Sequence, residues 1–177
     1  FHDPHRKIDL SGRSLLINGS PISFSDRAVC LCVLLHQHMK WLPHVKHISG
    51  RCFAVITSIS RLRRIGVGTA LLVTIYRALL EPILTYCLSL WGSSYNNVVN
   101  SAQVIQNAAI RAITGRPRSE SVVEAYPGLG LLDIRQLTRL NQNVLAFKSR
   151  NGTIPARGSF ALEDRKSTRL NSSHRCI

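Results

Sequence analysis

Val45, Ile48, Cys52, Val55, Ile59 and Leu62 recur every three or four positions. That spacing sets all six on one face of an α-helix and rules out a strand over the same residues. A lone helix cannot bury such a stripe, so the chain must supply further helices to pack against it. It does so twice more. Leu72, Ile75, Tyr76, Leu79 and Ile83 form a second stripe, and Val98, Ala102, Ile105, Ala109 and Ala112 a third.

The punctuation between stripes fits helices of ordinary length. The helical period begins at Trp41, and Gly66-Val67-Gly68 ends the first helix. Thr69 is placed to N-cap the second, and Pro82 should kink or end it. The third runs from about Asn97 to Thr114. Gly115 stands where a residue of positive φ closes a helix, and Pro117 follows as a stop. A short helix over Ser121 to Tyr126 leads into a turn at Pro127-Gly128 and Gly130. A last helix is expected from Asp133 to about Arg150, with Ile134, Leu137, Leu140 and Val144 inward.

Upstream the pattern differs. The first fourteen residues read as a loop or frayed end. Residues 15–24 read as a β-hairpin turning at Asn18-Gly19, since both residues tolerate positive φ. Val29 to Leu35 is a continuous apolar run, short enough for a buried strand. The expected fold is therefore mainly α, a short β-hairpin/strand element followed by a helical bundle, without internal repeats.

At 177 residues with 45% apolar content, the chain is a globular protein of one ordinary domain, or a domain plus a tail. Charge narrows the function further. Twenty-three Lys and Arg against nine Asp and Glu give +14, a balance that points to a polyanionic partner rather than a solvated basic surface. Five irregularly spaced cysteines (Cys30, Cys32, Cys52, Cys87, Cys176) argue against a disulfide framework. They fit reduced thiols inside a cell, with nucleus and cytoplasm left open. The chain opens on the polar Phe1-His2-Asp3-Pro4-His5-Arg6 without a signal peptide or an initiator Met, which suggests a truncated frame. Ala70 to Trp91 is apolar enough to raise a membrane span, but Arg77, Glu81 and Pro82 near its middle argue for a core helix instead. No membrane partner is expected.

Several stretches together resemble one family. Val33-Leu34-Leu35-His36-Gln37-His38-Met39-Lys40-Trp41-Leu42-Pro43-His44-Val45 looks like an apolar strand followed by Leu/Met-x-Trp-x-x-His-Ile/Val. Ser60-Arg61-Leu62-Arg63-Arg64 looks like a basic helix end. Tyr76-Arg77-Ala78-Leu79-Leu80-Glu81-Pro82-Ile83-Leu84-Thr85-Tyr86 with Trp91-Gly92, then residues 105–118, then Gly128-Leu129-Gly130-Leu131-Leu132-Asp133-Ile134-Arg135, complete the series. In this order, over about 120 residues, they resemble the region after the catalytic palm in jockey-type non-long-terminal-repeat retrotransposon reverse transcriptases. The resemblance implies a remnant palm-edge β segment at 1–40, a thumb-like helical bundle at 41–118 and a C-terminal helical extension at 119–155. A disordered tail at 156–177 follows. Within it, Asp164 to His174 resembles, residue for residue, the translation of a sequencing-library adapter, so 164–177 is set aside as an artefact. Without those residues the net charge is still +11.

The departures from the family pattern suggest a decayed copy. Leu31-Cys32-Val33 stands where the family has Leu-Gly-Val, and His36 where it has Asp. The family polymerase copies RNA into DNA with Mg²⁺ held by paired aspartates. No two acids between Phe1 and Glu163 form a D-D or D-x-D pair. The chain alone is therefore expected not to be an enzyme and to need no cofactor, its palm domain being a missing partner.

What remains is at most weak, unspecific binding to duplex or hybrid nucleic acid. The resemblance to a thumb favours contact between Arg61, Arg63 and Arg64 and the phosphates of a template–primer duplex. Complementing the negative end of a helix dipole competes as an explanation. Arg111, Arg116 and Arg118 form a second candidate group, for which simple solvation competes. Trp41, Tyr86 and Trp91 are read as packing residues rather than base-stacking platforms, and His44 as fixing the strand-to-helix corner beside Trp41. Cys30, Cys32, His36 and His38 raise a zinc site, but their spacing is not a common zinc pattern and drift explains them better. A helical protein-interaction module and a non-functional pseudogene product are the rival readings.

Overall fold

The computed structural model describes residues 15–22 and 25–153. The opening loop, the Ser23–Phe24 end of the first hairpin and the tail from residue 156 lie outside them. The chain forms two compact units, residues 1–142 and residues 143–177. The second is described only over residues 143–153.

The architecture is mainly α, with two small antiparallel strand pairs ahead of the helices. Strands β1 (Leu15–Ile17) and β2 (Ser20–Ile22) pair with Ile17 opposite Ser20. Asn18 and Gly19, at φ 49° and 78°, make the mirror-image two-residue turn that matches strand twist. The apolar run at 29–35 departs from expectation. It is not one buried strand but a second hairpin, β3 (Arg27–Cys30) against β4 (Val33–His36), turning at Leu31-Cys32. A continuous apolar run is buried on both faces only inside a larger sheet. Here each sheet has two strands, and Val29 and Leu31 stand exposed while Val33 enters the core and Leu35 packs against it.

Helix α1 (Leu42–Arg64) starts with Pro43 in its first turn and buries His44, Val45, Ile48, Cys52, Ile56 and Ile59. Helix α2 spans Thr69–Ile75. Thr69 is not its N-cap. Extended Gly68 takes that place, and no side chain caps the helix. Tyr76–Leu80 then forms a wide π turn before α3 (Glu81–Thr85). This turn explains a second departure, since a π turn advances less per residue and rotates the stripe. Leu80 and Leu84 are fully buried, whereas Leu79 is exposed and Ile83 only half-buried. Pro82 neither ends the helical path nor needs an amide partner, because it sits in the first turn of α3.

After α4 (Leu88–Trp91) comes α5 (Asn96–Thr114), closed as expected by Gly115 at φ 75°. Its buried face ends on Ile113 rather than Ala112. The next helix, α6, covers Ala125–Gly128, later than Ser121–Tyr126, and absorbs Pro127 and Gly128 that were read as turn. Gly130 keeps a turn conformation at φ 63°. Helix α7 (Ile134–Arg150) opens on a reciprocal pair. The Gln136 amide donates to Asp133 Oδ1 at 2.8 Å, and the Asp133 amide donates to Gln136 Oε1 at 2.9 Å. Ile134 and Leu137 are buried, but Leu140 and Val144, expected inward, are exposed. Thr138 is the last fully covered residue of its face.

The core lies chiefly between α1 and α5, the most extensive helix pair, with α2, the π turn and α3 also against α1. Gly92 is buried within it. A Cβ there would stand 2.6 Å from the Leu88 carbonyl oxygen and 2.5 Å from Thr138 Oγ1, so α7 crosses where only glycine fits.

Candidate nucleic-acid interface

Arg63, at the last turn of α1, donates from Nη2 to the Thr114 carbonyl at the end of α5, at 3.3 Å. The two helices therefore end together and run in the same direction. Their unsatisfied carbonyls, each end carrying about half a negative charge, gather at one pole. Cations belong there on electrostatic grounds alone.

All six arginines singled out from the sequence lie at this pole, in the last turn of α1, the last turn of α5 and the loop after it. Four are tied to carbonyls. Besides Arg63, Arg64 Nε reaches the Ser60 carbonyl of its own helix at 3.4 Å. Arg111 Nη2 donates to the Glu120 carbonyl at 3.2 Å, and Arg116 Nη1 to the Ser121 carbonyl at 3.0 Å. The helix-end explanation thus accounts for Arg63 and Arg64, and loop bracing for Arg111 and Arg116. Among the described residues, Arg61 and Arg118 are exposed and make no hydrogen bond or ion pair.

Among the described residues no carboxylate forms an ion pair with any of the six. Among the described residues the one ion pair is Arg27 with Asp26, 3.5 Å apart and distant in sequence. A groove of about 750 Å³ between α1 and α5 is walled by Arg111, Arg116 and Arg118 and floored by Ile56, Ala108 and Ala112. Phe53 and Val104 line it further along, and Phe53 is 47% exposed. Phe53 escaped the sequence reading. Its only signal is that it falls between Cys52 and Ile56, off the buried phase of α1.

The other candidate residues separate. Trp41 and Trp91 are buried, as expected of packing residues, whereas Tyr86 is exposed. His44 ties β4 to α1: the Leu34 amide donates to His44 Nδ1 at 3.3 Å, and the ring meets Trp41 and Trp91 edge-on. This fixes the corner beside Trp41. Burial, and the charge of His47, hold its imidazole below the ordinary value. Cys32 lies in the β3–β4 turn, and among the described residues no three His, Cys, Asp or Glu converge as metal ligands. No helix among them is long and apolar enough to cross a membrane.

Sequence reasoning also missed a buried polar network behind the groove. Gln106, fully buried on α5, donates from Nε2 to Tyr76 Oη and to the Leu132 carbonyl, both at 2.8 Å. Its Oε1 accepts from Tyr126 Oη at 3.2 Å, and Gln103 joins both to the Ile134 amide. Burial pushes the Tyr76 hydroxyl up to about 12 and raises that of Tyr126. The visible signal was a glutamine in phase with Ala102, Ile105, Ala109 and Ile113.

No family model matches the chain, and no solved structure matches it. Among curated proteins it is similar to the probable RNA-directed DNA polymerase from transposon BS of Drosophila melanogaster. The two are 27% identical over 103 residues, which are 57% of this chain and 11% of that protein. This likeness supports a relationship to retrotransposon reverse transcriptases.

Proposed function

We propose that this chain is a piece of a jockey-type mobile-element RNA-directed DNA polymerase from beyond the catalytic palm, with residues 41–118 as its thumb. As it stands it binds nucleic acid without sequence preference and does not polymerise. The observation that carries the reading is the convergence of six arginines, none ion-paired among the described residues, on the shared pole of α1 and α5. Arg61 and Arg118 can reach phosphates with no bond to break, while Arg63, Arg64, Arg111 and Arg116 each give one nitrogen to a carbonyl and keep other N–H donors for phosphate. The likeness to a transposon polymerase supplies a substrate that such a pole suits, the backbone of a template–primer duplex.

The hairpins fit the same reading. Leu16, Ile17, Val29 and Leu31 are each at least 60% exposed, on two-stranded pairs that are marginal alone. A palm domain would cover them. The Mg²⁺ of the parent reaction has no ligand set among the described residues, and no catalytic step is assigned to them.

Binding of a labelled RNA–DNA hybrid, followed by fluorescence anisotropy across a salt series, tests the proposal. Affinity should fall steeply from low to high salt. Arg61→Ala and Arg118→Ala should each flatten that dependence by about one phosphate, equally across sequences. An isotherm that ignores salt would sink it.

A further inference from the structure

The groove beside the arginine pole combines two features that act on different parts of a ligand. Arg111, Arg116 and Arg118 wall one end, and the Phe53 ring, 47% exposed, lies further along the same groove. Between them the floor is Ile56, Ala108 and Ala112, two of the three too small to fill it. Arg111 Nε is buried in this wall and has no partner among the described residues. An exposed aromatic ring on a helix is ordinary by itself. An exposed ring in one groove with three cations that make no ion pair among the described residues is not.

We infer that this groove takes an unpaired nucleic-acid strand, with phosphates on Arg111, Arg116 and Arg118 and a base stacked on Phe53; the inference rests on the proposed nucleic-acid role of the pole. A nucleic-acid strand repeats an anion and a flat ring face in every unit, which is the combination the groove offers. In a duplex the ring faces are stacked on one another and cannot reach Phe53, so the aromatic end of the groove selects unpaired strands. Duplex binding remains open to the exposed guanidinium groups of Arg61 and Arg118. The pole therefore carries charge that any backbone satisfies, and the groove adds a preference for unstacked bases.

The test compares an unstructured single strand of about 16 nucleotides with a blunt hybrid of the same length, by anisotropy on the full chain. Phe53→Ala and Phe53→Leu should each weaken the single strand about tenfold and leave the hybrid unchanged, whereas Phe53→Trp should keep single-strand binding. Because Phe53 is half exposed, these variants should stay folded, and circular dichroism checks that they do. Arg118→Ala should weaken both ligands. Equal binding of strand and hybrid, with Phe53→Ala neutral on both, would overturn the strand preference and leave the proposed function standing. Displacement of the strand by an acidic polypeptide at equal charge concentration would also overturn it. Absence of salt-sensitive binding to either nucleic acid would overturn both readings together.

Discussion

Cys32 carries φ 63° and Leu31 φ 46°, left-handed angles that both residues adopt only at a cost. The neighbouring hairpin solves the same geometric problem with Asn18 and Gly19. Cys32 is also where the family resemblance places glycine, so the structure gives that departure a physical meaning. A side chain in the left-handed region costs about 1–2 kcal/mol, of which the greater freedom of unfolded glycine returns roughly half. Cys32→Gly should therefore stabilise the chain by about 0.5–1 kcal/mol, read as a Tm rise of roughly 1–4 °C in thermal denaturation. At this scale the sequence was legible where chemistry is local. Gly115 was recognised as a helix end because its position follows from the stripe before it. Gly92 and Gln106 were not, because what constrains them is Thr138 of α7, and Tyr76 and the Leu132 carbonyl, far away in the chain.

At the scale of elements, helices were read well from their period and strands poorly from theirs. Seven apolar residues in a row do not say where a chain reverses, and Leu31-Cys32 bears no turn signal. The π turn at Tyr76–Leu80 was equally silent, since Leu79 and Leu80 are chemically alike and only the helix pitch decides which is buried. One hydrogen bond that ties β4 to α1 is made by the His44 side chain, and it yields a pH dependence. Burial disfavours the imidazolium, and its Nδ1 must be unprotonated to accept the Leu34 amide. A folded-state value below 6.5 means the contribution is complete above pH 6.5 and is lost as pH falls below it. Urea denaturation should show lower stability at pH 5.5 than at pH 7.5, and His44→Asn should flatten the difference. Glu81, whose burial raises its carboxyl above 4.5, acts with the opposite sign, which makes the His44 variant the needed comparison. A slope unchanged by that variant would assign the effect elsewhere.

For the whole molecule, the described residues carry fifteen Lys and Arg against five acids, with a single ion pair among them. Such a surface repels itself, and a polyanion relieves the repulsion. The excess charge was readable from composition. The meeting of six arginines at one pole was not, because that depends on α1 and α5 ending together, which no local pattern encodes. The five acids, Asp26, Glu81, Glu120, Glu124 and Asp133, form no metal-ligand group. On the proposed reading, the purified chain should incorporate no nucleotide on a primed RNA template with Mg²⁺ present. Metal-dependent extension in that assay would show that polymerase chemistry resides in these residues after all.

Two helices that point the same way cannot be joined by a tight turn, and residues 65–95 make the return journey between α1 and α5. On a ribosome, α1 is finished about 50 residues before the helix that covers it. At about 5–20 residues per second, the part of its surface that α5 covers stays open for roughly 3–10 s, with α2, the π turn and α3 to pack on the rest. During that wait the nascent chain is a substrate for chaperones, and slower translation would prolong its vulnerability.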